Sequence, residues 1–165
     1  MEYKRPFDDV KSLTEYYGEP GNESNLVFLD IPYPLKLAWN TTQEVNRIRC
    51  HKKIKDDVYK ALHLVFIEYN ERIDRLKLNV FGGCFNKRPK VGSNSDNEID
   101  WSTHAWGIAL DFDPIHNKNE CDSKKALFAQ PEYDRWFEIW RSVGFYSLGK
   151  EKNRDWMHLQ AAVPL

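Results

Sequence analysis

The stretch Gly107-Ile108-Ala109-Leu110-Asp111-Phe112-Asp113 alternates, with Ile108, Leu110 and Phe112 turned to one face and Ala109, Asp111 and Asp113 to the other. A period of two is the signature of a β-strand that covers a core. Two further strand-like runs flank it in sequence. Leu78-Asn79-Val80-Phe81 stands upstream and ends at Gly82-Gly83, and Trp156-Met157-His158-Leu159-Gln160-Ala161 stands near the C-terminus. Between about 42 and 76 the period changes to that of a helix: Ile54, Val58, Ala61, Leu62, Val65, Tyr69, Ile73 and Leu76 form one stripe, opposite Lys53, Asp56, Asp57, Lys60, Glu68, Glu71 and Arg75. A second helix is predicted from Pro131, suited to a first turn, to Val143, with Gly144 as its stop. The first forty residues contain Gly18-Glu19-Pro20-Gly21-Asn22 and Ile31-Pro32-Tyr33-Pro34, which favour turns and extended backbone. The predicted class is α+β, with helices on one side of a small antiparallel sheet. The expected organisation is one domain over 1–165: an extended N-terminal wrap over 1–45, a long helix over 46–77 and the site-bearing core over 78–165.

Composition narrows the function. The chain has 165 residues, enough for one core but not for two independent ones. Lys and Arg total 24 against 25 Asp and Glu, a net charge of −1, which excludes a protein whose main task is gripping a nucleic-acid backbone. The basic cluster Arg47, Arg49, Lys52, Lys53 and Lys55 reads as one solvated helix face. No apolar run is longer than four residues, as in Leu64 to Ile67, far short of the ~20 residues that cross a bilayer, so no stable membrane insertion is expected. Met1-Glu2-Tyr3-Lys4-Arg5-Pro6 has no apolar stretch of a secretory signal. Cys50, Cys84 and Cys121 are odd in number and widely spread, which is no disulfide framework and points to folding in a reducing cytosol. Neither Cys84 nor Cys121 has a Cys-x-x-Cys partner, so no thiolate zinc site is read there.

Five histidines remain to be weighed. His51 and His63 fall in the predicted long helix and read as structural; His116 falls in a polar loop and reads as solvated. His104 and His158 differ because both approach the strand that carries Asp111. A carboxylate in a short apolar strand costs several kcal/mol unless a cation, a metal or a hydrogen-bond cluster compensates it. The plain alternative is an aspartate that caps a nearby loop. Two imidazoles and a carboxylate converging from adjacent strands would suit Zn²⁺. Extended chain would separate His104 and Asp111 by over ~20 Å, so His104 has to lie in a turn folded back over the strand, and Gly107 is placed to allow it. The spacing permits such a site without demanding it. Asp155, three residues before His158, would have to occupy a bend to reach the same place. Arg88 is a fixed cation in a loop-like region, or simply a surface arginine.

Taken together, these residues resemble a known family. Ser102-x-His104-x-x-Gly107-x-Ala109-x-Asp111, then Gly144-Phe145, then Asp155-Trp156-Met157-His158 is similar to the pattern of the phage-type branch of the M15 zinc peptidases. Gly83-Cys84-Phe85-Asn86-Lys87-Arg88 resembles the upstream arginine block of that family. The resemblance covers 81–161 and more loosely the N-terminal region, and a ten-residue pattern with a second block is far more specific than a lone His-x-x-His. It implies an M15 or Hedgehog-like zinc peptidase fold and a hydrolase acting on peptidoglycan stem peptides as a monomer. One Zn²⁺ would be held by His104, Asp111 and His158 with a fourth position open. Asp155 would act as proton carrier, Arg88 as oxyanion or carboxylate partner, and Ser102 as a hydrogen-bonding substrate contact. Asp113 and Trp156 read as packing. His-Ala-Trp-Gly-Ile-Ala-Leu-Asp favours an L-alanyl-D-glutamate endopeptidase, that is, a phage endolysin or virion lysin. Such a protein would be made in the host cytoplasm without a signal peptide and act on the cell wall, with no separate wall-binding domain. A D-Ala-D-Ala carboxypeptidase and a non-catalytic zinc module, as in the Hedgehog signalling domain, remain open. A two-His-one-carboxylate iron oxygenase fits poorly, because the chain lacks His-x-Asp/Glu.

Overall fold

A computed structural model describes residues 4–93 and 98–165 of the chain. Its elements run in the order α1 (Val10–Tyr17), β1 (Leu26–Leu37), β2 (Asn40–His51), α2 (Lys55–Tyr69), α3 (Arg72–Arg75), β3 (Val80–Gly83), β4 (Ala109–Phe112), α4 (Asp134–Ser142), β5 (Tyr146–Ser147), α5 (Leu148–Lys152) and β6 (His158–Gln160). The six strands form one sheet in the order β2-β1-β3-β4-β6-β5, so the class is α+β.

Two expectations need correction. The sheet is not wholly antiparallel: β1 and β3 run parallel, with Lys36 beside Val80 and Leu37 beside Phe81. And 1–45 is not an extended wrap, nor does the helix begin near 46. That region holds α1 and most of a long hairpin, β1–β2, while the helical stretch starts at Lys55 and breaks at Asn70, which adopts a φ of 45°. The hairpin lacks a period-two hydrophobic pattern for physical reasons. β2 is an edge strand exposed on most positions up to Arg47, and edge strands favour charged and polar residues. In β1 the register slips between Asp30 and Leu35, the interval that holds Pro32 and Pro34, which cannot donate to a ladder.

The predicted helical stripe is buried along its whole length, from Ile54 to Leu76. It packs across β1, where Tyr33, Leu35 and Leu37 join the same core. The second helix keeps its expected place: a 3-10 turn at Pro131–Tyr133 leads into α4, and Gly144 ends it at a φ of 84°. Trp136 and Trp140 of α4 meet Phe112 of β4 at ring-centroid distances of 5.0 and 5.8 Å, and Phe145 closes on Trp140 at 5.1 Å. Each such pair is worth about 0.5–1.5 kcal/mol beyond its buried area. Strand β4 is thus anchored on one face by aromatic rings, which leaves Asp111 directed to the other.

The N-terminal segment closes the structure at the far edge of the site. Asp9 caps α1 by accepting from the Ser12 amide at 2.8 Å, and Tyr17 donates its hydroxyl to the Ala161 carbonyl at 2.7 Å. Phe7 forms a parallel bridge to Val163, which sets the segment before α1 beside the segment after β6.

Candidate metal centre

The turn that brings His104 back over its strand is a 3-10 turn, Thr103–Trp106. Ser102 caps it, accepting from the His104 amide at 3.3 Å. Gly107 ends it in the left-handed region at a φ of 70°, where a Cβ would stand 2.6 Å from the Leu26 side chain. Glycine is required there on both counts. The chain then enters β4, and the antiparallel register sets Asp111 opposite His158 of β6 and opposite Gly83 of β3.

His104, Asp111 and His158 converge, with one ligand atom from each lying within 4.8 Å of the others. The hydrogen bonds behind the imidazoles fix their tautomers. Nδ1 of His104 lies 2.6 Å from the Cys84 carbonyl, an acceptor only, so Nδ1 carries the proton and Nε2 presents a lone pair. Nε2 is buried, has no hydrogen-bond partner, and stands 3.1 Å from an Asp111 oxygen. Two acceptors facing each other at that distance repel unless a proton or a cation lies between them. His158 is held the other way round. Its Nε2 donates to Gln160 Oε1 at 2.8 Å, and its Nδ1 faces Asp111 at 3.2 Å. The Gln160 amide is oriented in turn, because its nitrogen donates to Asp8 at 3.1 Å and to the Ala162 carbonyl at 3.2 Å. Thr103 donates its hydroxyl to the same Gln160 oxygen. Metal-binding imidazoles characteristically place the second nitrogen on such a partner. An orphaned buried nitrogen, a carboxylate and a second oriented imidazole fit a divalent metal ion.

The electrostatics follow the geometry. Burial alone would raise the Asp111 carboxyl, but the two imidazoles packed against it, His104 and His158, outweigh it and hold the group well below the usual carboxylate range. Burial works against the His158 imidazolium, yet Asp111, and then Asp155, push this imidazole up to about 8. Asp155 is raised chiefly by burial, with the charge of Asp111 adding to it and that of His158 opposing.

Asp155 occupies the expected bend. It adopts a φ of 54°, donates its amide to Asn119 and accepts from the His158 amide at 3.0 Å, a turn that enters β6 directly. Its carboxylate lies 4.0 Å from His158 Nδ1, on the side of the cluster that opens into a cavity lined also by Ser102, Lys152 and Arg154. Arg88 lines this cavity and a second one, bordered by His104 and Asp111. Its backbone carbonyl accepts from the Ser102 amide, which ties the arginine loop to the His104 turn.

Other residues fall elsewhere. His51 lies at the end of β2, not in a helix, with Nε2 bound to the Tyr17 carbonyl at 2.8 Å, a structural role as expected. His63 is exposed and stacked on Tyr59. His116 is not simply solvated: it pairs at 3.0 Å with Asp113, whose carboxylate is buried. Trp156 packs against Gly149 and Phe137. Burial pushes the Cys84 thiol well up, and its sulfur donates to the Gly107 carbonyl, so it is no thiolate. Three contributors escaped the sequence reading. Gln160 sits two residues beyond His158 on the same face of a strand, a spacing that could have flagged it. Asp8 carries no local signal, and the Cys84 contribution is a backbone carbonyl that no side-chain pattern encodes. Among the described residues no helix is long and apolar enough to cross a membrane. Compared with family models, curated proteins and solved structures, the chain matches none.

Proposed function

We propose that the chain is a zinc-dependent peptidase of peptidoglycan stem peptides, of the M15 kind in fold and chemistry, cutting between L-alanine and D-glutamate. The carrying observation is the unpartnered, buried Nε2 of His104, aimed at Asp111 and His158, with the Asp155 carboxylate beside the same cluster. His104, Asp111 and His158 would hold the ion. Zinc in such a set supplies Lewis acidity, polarising a carbonyl and making a water acidic enough to ionise near neutral pH. The protein's own groups do the rest. Asp155, its basicity raised by burial, accepts the proton of the attacking water and delivers it to the leaving amine. Arg88, common to both cavities, steadies the negative charge that develops on the carbonyl oxygen. Ser102 acts chiefly through His104, as the cap of its turn.

A second reading has its own support. Arg88, Lys152 and Arg154 on the Asp155 side would also suit a terminal carboxylate, which favours a D-Ala-D-Ala carboxypeptidase. Digestion of purified peptidoglycan with native, metal-stripped and zinc-restored protein tests both. Free N-terminal D-glutamate that appears with zinc and disappears on stripping is the expected result. Released D-alanine would replace the endopeptidase reading with the second. Lytic activity that survives both stripping and Asp155→Ala would overturn the peptidase reading, whereas no activity at all would favour a non-catalytic zinc module.

A further inference from the structure

The two cavities that flank the metal cluster differ in kind. On the Asp155 side the lining is charged: Lys90 is engaged by Asp8 and Asp100, and Arg88, Lys152 and Arg154 face the cavity together with Asp155. On the His104 side, apart from Arg88 and the two ligands, the lining is uncharged and includes Trp39, Phe85 and Asn86. Trp39 is the exceptional member. It stands at the tip of the β1–β2 hairpin with 68% of its surface exposed, an unusual place for a large indole.

The sheet places this indole in line with the centre. Leu37 pairs with Phe81 in parallel register, and the Ala38 amide donates to the Phe81 carbonyl at 2.9 Å. Two residues further along each chain stand Trp39 and Gly83, and Gly83 pairs with Asp111, which pairs with His158. Trp39, in the hairpin turn, accordingly lines one cavity with Gly83, His104 and Asp111. The ground between them is bare. Gly83 has a φ of 113°, where L side chains are strained, and a Cβ built on it would meet nothing within 4 Å. The result is a trough with an aromatic wall at one end and the metal cluster at the other.

We infer that Trp39 is a carbohydrate platform that binds the muramyl sugar on the amino-terminal side of the scissile bond. The identity of the occupant rests on the peptidoglycan reading above. In that substrate the group before L-alanine is an uncharged lactyl-sugar, and the residue after it, D-glutamate, carries a free carboxylate. The trough walled by Trp39 and Phe85 matches the first, and the cavity that presents Lys152 and Arg154 matches the second, which fixes the direction in which the substrate crosses the cluster. An indole face takes the C–H face of a pyranose ring, both apolar and flat, while the Asn86 amide offers a donor and an acceptor to ring hydroxyls. Covering about 60 Å² of apolar ring surface corresponds to roughly tenfold in affinity.

The test uses ligands without a cleavable bond. Zinc-loaded wild type, Trp39→Ala and Trp39→Phe are titrated with N-acetylmuramoyl-L-alanine and with N-acetyl-L-alanine, following the Trp39 indole N–H resonance and other cleft resonances. The expected result is about tenfold tighter binding of the sugar-bearing probe to wild type, loss of that preference in Trp39→Ala and partial retention in Trp39→Phe. Equal affinities of wild type for the two probes, or an unchanged preference in Trp39→Ala, would overturn the platform. Hydrolysis of stem peptides is scored separately. A sugar preference that depends on Trp39 without any hydrolysis leaves the platform standing and removes the peptidase reading; hydrolysis without the preference does the reverse.

Discussion

The ledge formed by β4 and β6 and the hairpin formed by β1 and β2 belong to one sheet but are built on opposite terms. The ledge has strands of four and three residues, nearly all buried, locked from behind by Phe112 against Trp136 and from the front by the His158–Gln160–Asp8 chain of hydrogen bonds. The hairpin has two strands of twelve residues whose outer part is exposed, with Phe28 and Trp39 left largely in solvent. Length of strand is thus no guide to where chemistry sits. Placing three ligand atoms within 4.8 Å of one another takes immobile side chains, and burial with satisfied hydrogen bonds supplies that immobility. An exposed tip can carry recognition because changing it disturbs little packing.

That contrast can be broken at four places. Asp155→Ala is expected to lower peptide hydrolysis by roughly 10²- to 10⁴-fold while zinc content stays at one ion per chain; zinc lost in the same variant would make Asp155 a ligand. Behind the ledge, Trp136→Ala should cost roughly 3–5 kcal/mol in denaturant unfolding, since it removes a fully buried indole that touches Phe112, Phe128 and Trp140. In front of it, Gln160→Leu is expected to weaken zinc binding roughly 10- to 100-fold in competition with a chromophoric chelator, the fold being kept. An unchanged affinity there would mean that the amide does not set the imidazole. The smallest effect belongs to the hairpin. Phe28→Ala removes a 62% exposed ring stacked by Arg47 at 4.3 Å and should cost no more than about 1 kcal/mol. A loss equal to that of Trp136→Ala would place the hairpin within the core.

Much of the site was legible because its residues fall in two short blocks, 104–111 and 155–158, in which each obeys a local constraint. Asp111 alternates with Leu110 and Phe112, Gly107 permits the return of His104, and Asp155 must bend to precede a strand that starts at His158. The hairpin was not legible. Its outer strand is polar, its inner strand is interrupted by Pro32 and Pro34, and an edge strand has only one neighbour to bury itself against. The polar start of the long helix and the end of β2 looked continuous for the same reason: the run of Arg49, Lys52, Lys53 and Lys55 carries no period to separate them.

By itself, then, the sequence determined an α+β class and the helical stripe from Ile54 to Leu76, because periodicity acts over a few residues; local spacing only permitted a site at His104, Asp111, His158 and Asp155, and the resemblance of the motif singled that set out. Tertiary structure alone decided the parallel β1–β3 pairing, the Cys84 carbonyl and Gln160 that orient the two imidazoles, and the position of Trp39 across bare Gly83 from Asp111. Apart from Gln160, which stands two residues beyond His158, those contacts join residues twenty or more positions apart, or use the backbone. A local pattern cannot encode either one, because the free energy that fixes them comes from burying the whole sheet.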